Sequence, residues 1–194
     1  MSIQPLIIYI NNYISLSDKD IALLEDKLFI RKYLKGQYIV QQGDVCKYSC
    51  YVLEGCTKTF YLDKEGQEHI LMFSIEDWWS SDIGSFITQS PADFNVQCLE
   101  NTEVVVFAED IIEELYEKIP ALERFFRKII EKAFVASQKR IVRNFSLTAK
   151  EQYLFFREQY PLIEQRIPQY MIASYLGITK EFLSKIKSQL IQEQ

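Results

Sequence analysis

Residues 167–190 read IPQYMIASYLGITKEFLSKIKSQL, and the fold turns on whether they make two helices around a tight turn. Such a unit requires a small residue where the second helix crosses the first, and a turn residue that tolerates positive φ. Ala173 supplies the small contact and Gly177, four residues on, the turn. Ile172, Leu176, Ile178, Leu183 and Ile186 are spaced to lock the two helices together. Pro168 suits the first turn of the first helix, and Thr179 is placed to cap the second. The reading predicts a helix over 179–190 that buries Phe182, Leu183, Ile186 and Leu190. Lys180, Glu181, Ser184, Lys185 and Ser188 then lie opposite, at the helical period. Those side chains suit a major groove: lysine reaches guanine or phosphate, glutamate accepts from cytosine N4, and serine adapts. Thr179 completes the candidate DNA-binding set at the helix start, and Lys187 joins it at the flank as a phosphate contact.

Charge is unevenly placed. The chain carries 22 Lys+Arg against 27 Asp+Glu, a net charge of −5. Residues 139–194 hold nine of the basic and five of the acidic side chains. A basic tail on an acidic body separates two jobs, since only the tail suits an approach to phosphates.

Upstream, residues 3–14 and 18–28 look helical, with Ser17 as N-cap of the second. From Phe29 to Phe107 come short runs rich in Tyr, Val, Ile and Phe, punctuated at Gly43-Asp44, Glu54-Gly55 and Glu65-Gly66. Strands at this spacing predict an antiparallel sandwich or barrel, interrupted by one short helix within 82–90. From Asp110 the period becomes helical. Leu122, Phe126, Ile129, Ala133 and Ala136 recur at 4-3-4-3 spacing, which predicts a long helix over 121–143 that pairs with a second copy of the chain. A further helix starts at Thr148 and ends before Pro161. The class is therefore α+β.

The order of barrel, long helix and terminal motif, with "GD…EG" turns at 43–55 and IASYLGITKEFLSKIKSQL at the end, resembles the cyclic-AMP receptor protein / fumarate–nitrate regulator (CRP/FNR) family of bacterial transcription factors. The resemblance covers nearly the whole chain. It implies an antiparallel β-roll of the cyclic-nucleotide-binding, jelly-roll type over 1–120 as an effector-sensing domain. It further implies a dimerisation helix over 121–143 and a helix-turn-helix domain over 144–194, with 144–148 as the hinge. Lys180, Glu181 and Lys185 fall where the family reads bases. The partners it implies are double-stranded DNA, a second copy of the chain, RNA polymerase and a small-molecule effector. The family continues past the second helix into a β-hairpin wing; this sequence stops at Gln194, so a short form without the wing is expected.

The family's cyclic-nucleotide cassette pairs a glutamate for the ribose with an arginine for the phosphate. Here the matching stretch is WWSSDIGSFITQSPADFNVQ, in which Asp82 stands for the glutamate and Ala92 and Asp93 fall where the Arg-Ser pair belongs. No Lys or Arg lies between Lys64 and Lys118. A phosphate there meets no guanidinium, so cyclic AMP is not expected and the effector is left open. Trp78, Trp79, Ser81, Asp82, Asp93 and Phe94 are the candidate effector pocket.

Other classes find little support. One histidine, His69, cannot supply a metal-enzyme ligand set or haem ligation, and no nucleophile triad or phosphate loop appears, so no enzyme and no cofactor are expected. Cys46, Cys50, Cys56 and Cys98 lack a zinc spacing and read as buried thiols. No apolar run reaches a membrane span, and a cytoplasmic chain is expected. The rival reading is a ligand- or protein-interaction module with a vestigial DNA-binding domain, favoured by the acidic pI.

Overall fold

The computed structural model describes residues 2–161 and 163–193; Met1 and Gln194, the outer bounds of the expected domains, lie outside them. Two helices come first, α1 (Gln4–Asn11) and α2 (Asp18–Lys27). Ser17 caps α2 as expected, in a reciprocal box: its hydroxyl accepts from the Asp20 N–H and the Asp20 carboxylate accepts from the Ser17 N–H at 2.8 Å. The strands follow: β1 (Phe29–Tyr33), β2 (Tyr38–Val40), β3 (Tyr48–Glu54), β4 (Thr57–Leu62), β5 (Glu68–Ser74) and β6 (Trp79–Ser80). After the short helix α3 (Ile83–Thr88) come β7 (Asn95–Cys98) and β8 (Thr102–Ala108). The chain then continues through α4 (Glu109–Lys118), α5 (Ala121–Ser146), α6 (Ala149–Gln159), α7 (Ile163–Arg166), α8 (Gln169–Leu176) and α9 (Lys180–Gln192).

Among the described residues the strands form two antiparallel sheets, in the orders β1-β8-β3-β6 and β2-β7-β4-β5. This is the antiparallel sandwich that the runs imply, in the jelly-roll form that the family resemblance implies. The unbroken apolar run at 104–107 has a physical reason. Val104 and Val106 face the roll interior with Tyr33, Cys50 and Val52, whereas Val105 and Phe107 face outward under α1, α4 and the start of α5. A strand buried on both faces has no polar alternation. Gly55, in the β3–β4 turn, has φ 110°, and a Cβ there would meet Thr102 Oγ1 at 2.6 Å and the Asn101 carbonyl oxygen at 2.8 Å, so no side chain fits.

All four cysteines are buried free thiols. Burial pushes Cys56 up to about 12 and Cys98 up to about 11, and raises Cys46 and Cys50 as well. Each therefore stays protonated and packs as a small apolar group.

The long helix differs from expectation in two ways. It runs to Ser146, so the expected hinge at 144–148 narrows to Leu147, which is extended, and Thr148, which caps α6 in a second reciprocal box with Glu151. The first part of its 4-3 apolar stripe also faces inward. Leu122 is fully buried in the chain's own core, and Phe126 and Ile129 pack against that core, so Leu122 has no surface to offer a partner. A helix lying on a roll shows the same repeat as one lying on a copy of itself. The large exposed apolar residues of α5 are Ile130, Phe134, Val135, Ile141, Val142 and Phe145. Their ridge through 130, 134, 141 and 145 lies roughly 120° around the helix from the expected stripe, at 3.6 residues per turn.

The C-terminal helices dock on the outer face of the second sheet. Phe60, Ile70 and Phe73 share one buried cluster with Tyr153, Phe156, Tyr160 and Ile163, and the Phe73 ring meets Tyr160 edge-on at 6.0 Å. β5 is an edge strand, and an uncovered edge exposes unpaired backbone groups. Ser174 of α8 covers this one: its hydroxyl donates to the Glu68 carbonyl at 2.7 Å and accepts from the Ile70 N–H at 3.2 Å.

Candidate functional site

The terminal motif folds as the residue types require. α8 ends at Gly177, which adopts φ 66°, and the Ile178 N–H returns to the Ala173 carbonyl at 3.0 Å. The Thr179 hydroxyl accepts from the Phe182 N–H and caps α9. Ala173 and Ile172 of α8 are buried with Leu183 and Ile186 of α9, and Leu190 is half-buried beside them. Phe182 departs from expectation, being 47% exposed. The seam follows 183, 186 and 190, and residue 182 sits about 70° to one side of its centre on the helix.

Thr179, Lys180, Glu181, Ser184, Lys185 and Ser188 are all exposed on α9. Lys180 and Lys185 make no ion pair among the described residues. Lys187, expected as a phosphate contact, differs. It is half-buried and pairs at 2.9 Å with Glu164, whose carboxylate also accepts from the Tyr153 hydroxyl at 2.6 Å. Its charge is already partnered within the domain. Pro168, expected inside the first turn of α8, stands one residue earlier as its N-cap.

The expected effector pocket does not form as one site. Asp82 is buried and spent on backbone: one oxygen accepts from the Ser85 N–H at 3.0 Å, the other from the Asp93 and Phe94 N–H groups at 2.9 and 3.1 Å. It holds the start of α3 and the strand approaching β7, and leaves little acceptor capacity for a ribose. Ala92 is locked into the turn at 43–44, donating its N–H to the Asp44 carbonyl and accepting from the Gly43 N–H, each at 2.8 Å. Trp78 and Trp79 turn elsewhere. Trp79 packs in an aromatic group with Tyr51, Phe107 and Phe126 at 5.2–5.7 Å between centroids, and Trp78 stacks at 5.3 Å on Tyr160. Both line a cleft between the roll, α5 and the C-terminal helices; Ser81, Asp82, Asp93 and Phe94 do not.

Sequence reasoning missed Arg166, because its partners lie far along the chain. Its guanidinium grips Glu76 with two bonds of 2.9 Å and also bonds Glu100. Glu76 in turn accepts from the Gly55 N–H at 2.9 Å. The fork therefore clamps the C-terminal domain to a turn of the roll. Burial alone would raise the Glu76 carboxyl; Arg166 and the Gly55 N–H outweigh it and hold it below its ordinary value.

Residues 30–119 match the cyclic nucleotide-binding domain. The transcriptional activator protein Anr of Pseudomonas aeruginosa is 25% identical over 170 residues, covering 80% of this chain and 68% of that protein. The structure of FixK2 from Bradyrhizobium japonicum superposes with a TM-score of 0.74 at 16% identity, covering 86% of this chain and 85% of that one. The regulator CLP of Xanthomonas campestris, described as responsive to c-di-GMP, gives a TM-score of 0.72 at 14% identity, with 91% and 93% covered. The domain match and the Anr relatives support a transcription regulator of the CRP/FNR type, and the solved structures share the fold.

The Arg166 clamp makes a prediction. Solvent screens the fork, since Glu76 is half-exposed, so Arg166→Gln should loosen docking by about 1–2 kcal/mol. Amide exchange in α8 and at Glu68–Ile70 should rise roughly tenfold while β8 stays protected; unchanged exchange in α8 would contradict the clamp. A carboxyl held below its ordinary value contributes stability above that value, about 4.5, and loses it as pH falls further. Docking should accordingly weaken below about pH 4.5 in the native chain and less so in Arg166→Gln.

Proposed function

We propose that the chain acts as a homodimer that reads double-stranded DNA with α9 and responds to an effector other than a cyclic nucleotide. The observation that carries the DNA reading is the pair Lys180 and Lys185, which have no ion-pair partner among the described residues, on the exposed face of a helix whose other face is locked to α8. The positive end of α9 lies beside Lys180 and favours phosphate. In a two-fold dimer two such helices would enter successive major grooves about 34 Å apart.

Dimerisation is supported by the exposed ridge Ile130, Phe134, Ile141 and Phe145, which continues along α5 well past the part that lies on the roll. Phe145 is 87% exposed, and such a ridge gains by burial against a copy of itself. Ala133 and Ala136, expected at the seam, are exposed but line the cleft instead. Against a cyclic nucleotide stand the absence of any Lys or Arg from 65 to 117 and the saturated Asp82.

Three measurements check this reading. Lys180→Ala and Lys185→Ala should each weaken binding by about 1–3 kcal/mol at preferred sites and relax selectivity at one position. Lys187→Ala should change selectivity less, because Glu164 already holds Lys187; identical profiles for all three across a site library would sink the assignment. Sedimentation should show a dimer at micromolar concentration that Phe134→Glu converts to a monomer, and a wild-type monomer unaltered by DNA would count decisively against pairing. Calorimetry with cyclic AMP and cyclic GMP should give no saturable heat; a dissociation constant under about 10 μM, near −7 kcal/mol, would overturn the effector reading.

A further inference from the structure

The cleft between the roll, α5 and the C-terminal helices encloses about 630 Å³, within the roughly 300–1,000 Å³ of small-molecule sites. Three bodies wall it. The roll contributes Trp78 and Trp79, α5 contributes Ala133 and Ala136, and the C-terminal domain contributes Tyr160 and Tyr175. Small residues at 133 and 136 keep it open on the helix side.

Its charge is lopsided. Lys132, Arg140 and Arg143 line it against one carboxylate, Asp77, which accepts from the Tyr51 hydroxyl at 2.6 Å. None of the three cations has a carboxylate partner among the described residues. Lys132 donates to the Tyr13 hydroxyl at 2.8 Å. Arg140 lies over the Tyr175 ring at 4.2 Å and donates to the Tyr175 carbonyl at 3.3 Å. Arg143 lies over the Phe155 ring at 4.3 Å. Arg140 and Arg143 are one helical turn apart, so positive charge gathers at one end of an otherwise aromatic and aliphatic cleft. A partner copy seated on the ridge of Ile130, Phe134, Ile141 and Phe145 leaves the cleft uncovered, because that ridge is on another side of α5.

We propose that this cleft binds an apolar monoanion: an aryl-alkyl carboxylate whose body lies between the Trp78 and Tyr160 rings and the two alanines, with its carboxylate on Arg143. Such a ligand touches the roll, α5 and the end of α6 at once. It binds the docked arrangement and adds its free energy to it. The regulatory consequence rests on the DNA-reading function proposed above; the binding itself does not.

Trp78 and Trp79 are the only tryptophans in the chain and both line the cleft, so all tryptophan emission arises at its wall. The full-length chain is titrated with phenylhexanoate and with its neutral twin phenylhexanol, both transparent at the tryptophan excitation wavelength. The expected result is a saturable emission change, with the carboxylate binding roughly tenfold tighter than the alcohol through its charge-assisted bond. Arg143→Gln should erase that preference without shifting the thermal midpoint, and Ala133→Phe should fill the cleft and abolish both titrations. Lys180→Ala should bind phenylhexanoate like the native chain, which separates failure of DNA reading from failure of the cleft. No saturable change, equal affinity for acid and alcohol, or a preference that survives Arg143→Gln would each overturn the proposal.

Discussion

The arrangement depends on an edge strand that must be covered. β5 ends the second sheet, and its outward N–H and C=O groups at Ile70 and Glu68 find their partner in a single hydroxyl, Ser174, on the first helix of the helix-turn-helix. Around that polar stitch the buried cluster of Phe73, Phe156 and Tyr160 supplies the apolar area, and Arg166 ties the far side through Glu76 to the Gly55 turn. Apolar burial gives docking most of its free energy; the polar stitch and the ionic fork fix its register. The consequence for function is geometric. α8 is held to the roll, while the polar face of α9 is left open to solvent.

One face of the long helix serves first the core and then the cleft, and a second face is exposed. Its first turns bury Leu122 and Phe125 in the core beneath α1 and α4. Its middle lines the cleft with Ala133, Ala136 and Arg140. Its other face carries exposed Phe134, Ile141 and Phe145. A change at the core is thereby felt at the cleft, because a packed helix moves as a rigid body.

Much of this was legible in the residues, and the reasons are local. Ser17, Thr148 and Thr179 mark helix starts by chemistry that acts within three residues, and Gly177 marks a turn only a positive φ can make. The roll showed through its runs and turns. What was not legible depends on distant partners. A 4-3 apolar repeat names a buried face without saying what buries it, so Leu122 was assigned to a partner copy when its own roll covers it. Trp79 and Asp82 are near neighbours in sequence, yet one closes an aromatic core against α5 and the other caps α3. Tyr160 and Tyr175 complete the cleft from far along the chain, and no spacing rule reaches that far. Lys187 looked like its neighbours until Glu164 came within 2.9 Å.

The central claim is that α9, carried twice by a symmetric dimer, reads sequence in duplex DNA. The most direct measurement is selection from a random duplex library by the purified chain, followed by sequencing of what it retains. The account predicts enrichment of an inverted repeat whose half-site centres lie one helical turn, about 10 base pairs, apart. Retention without any sequence preference, or enrichment of a single unrepeated half-site, would contradict it.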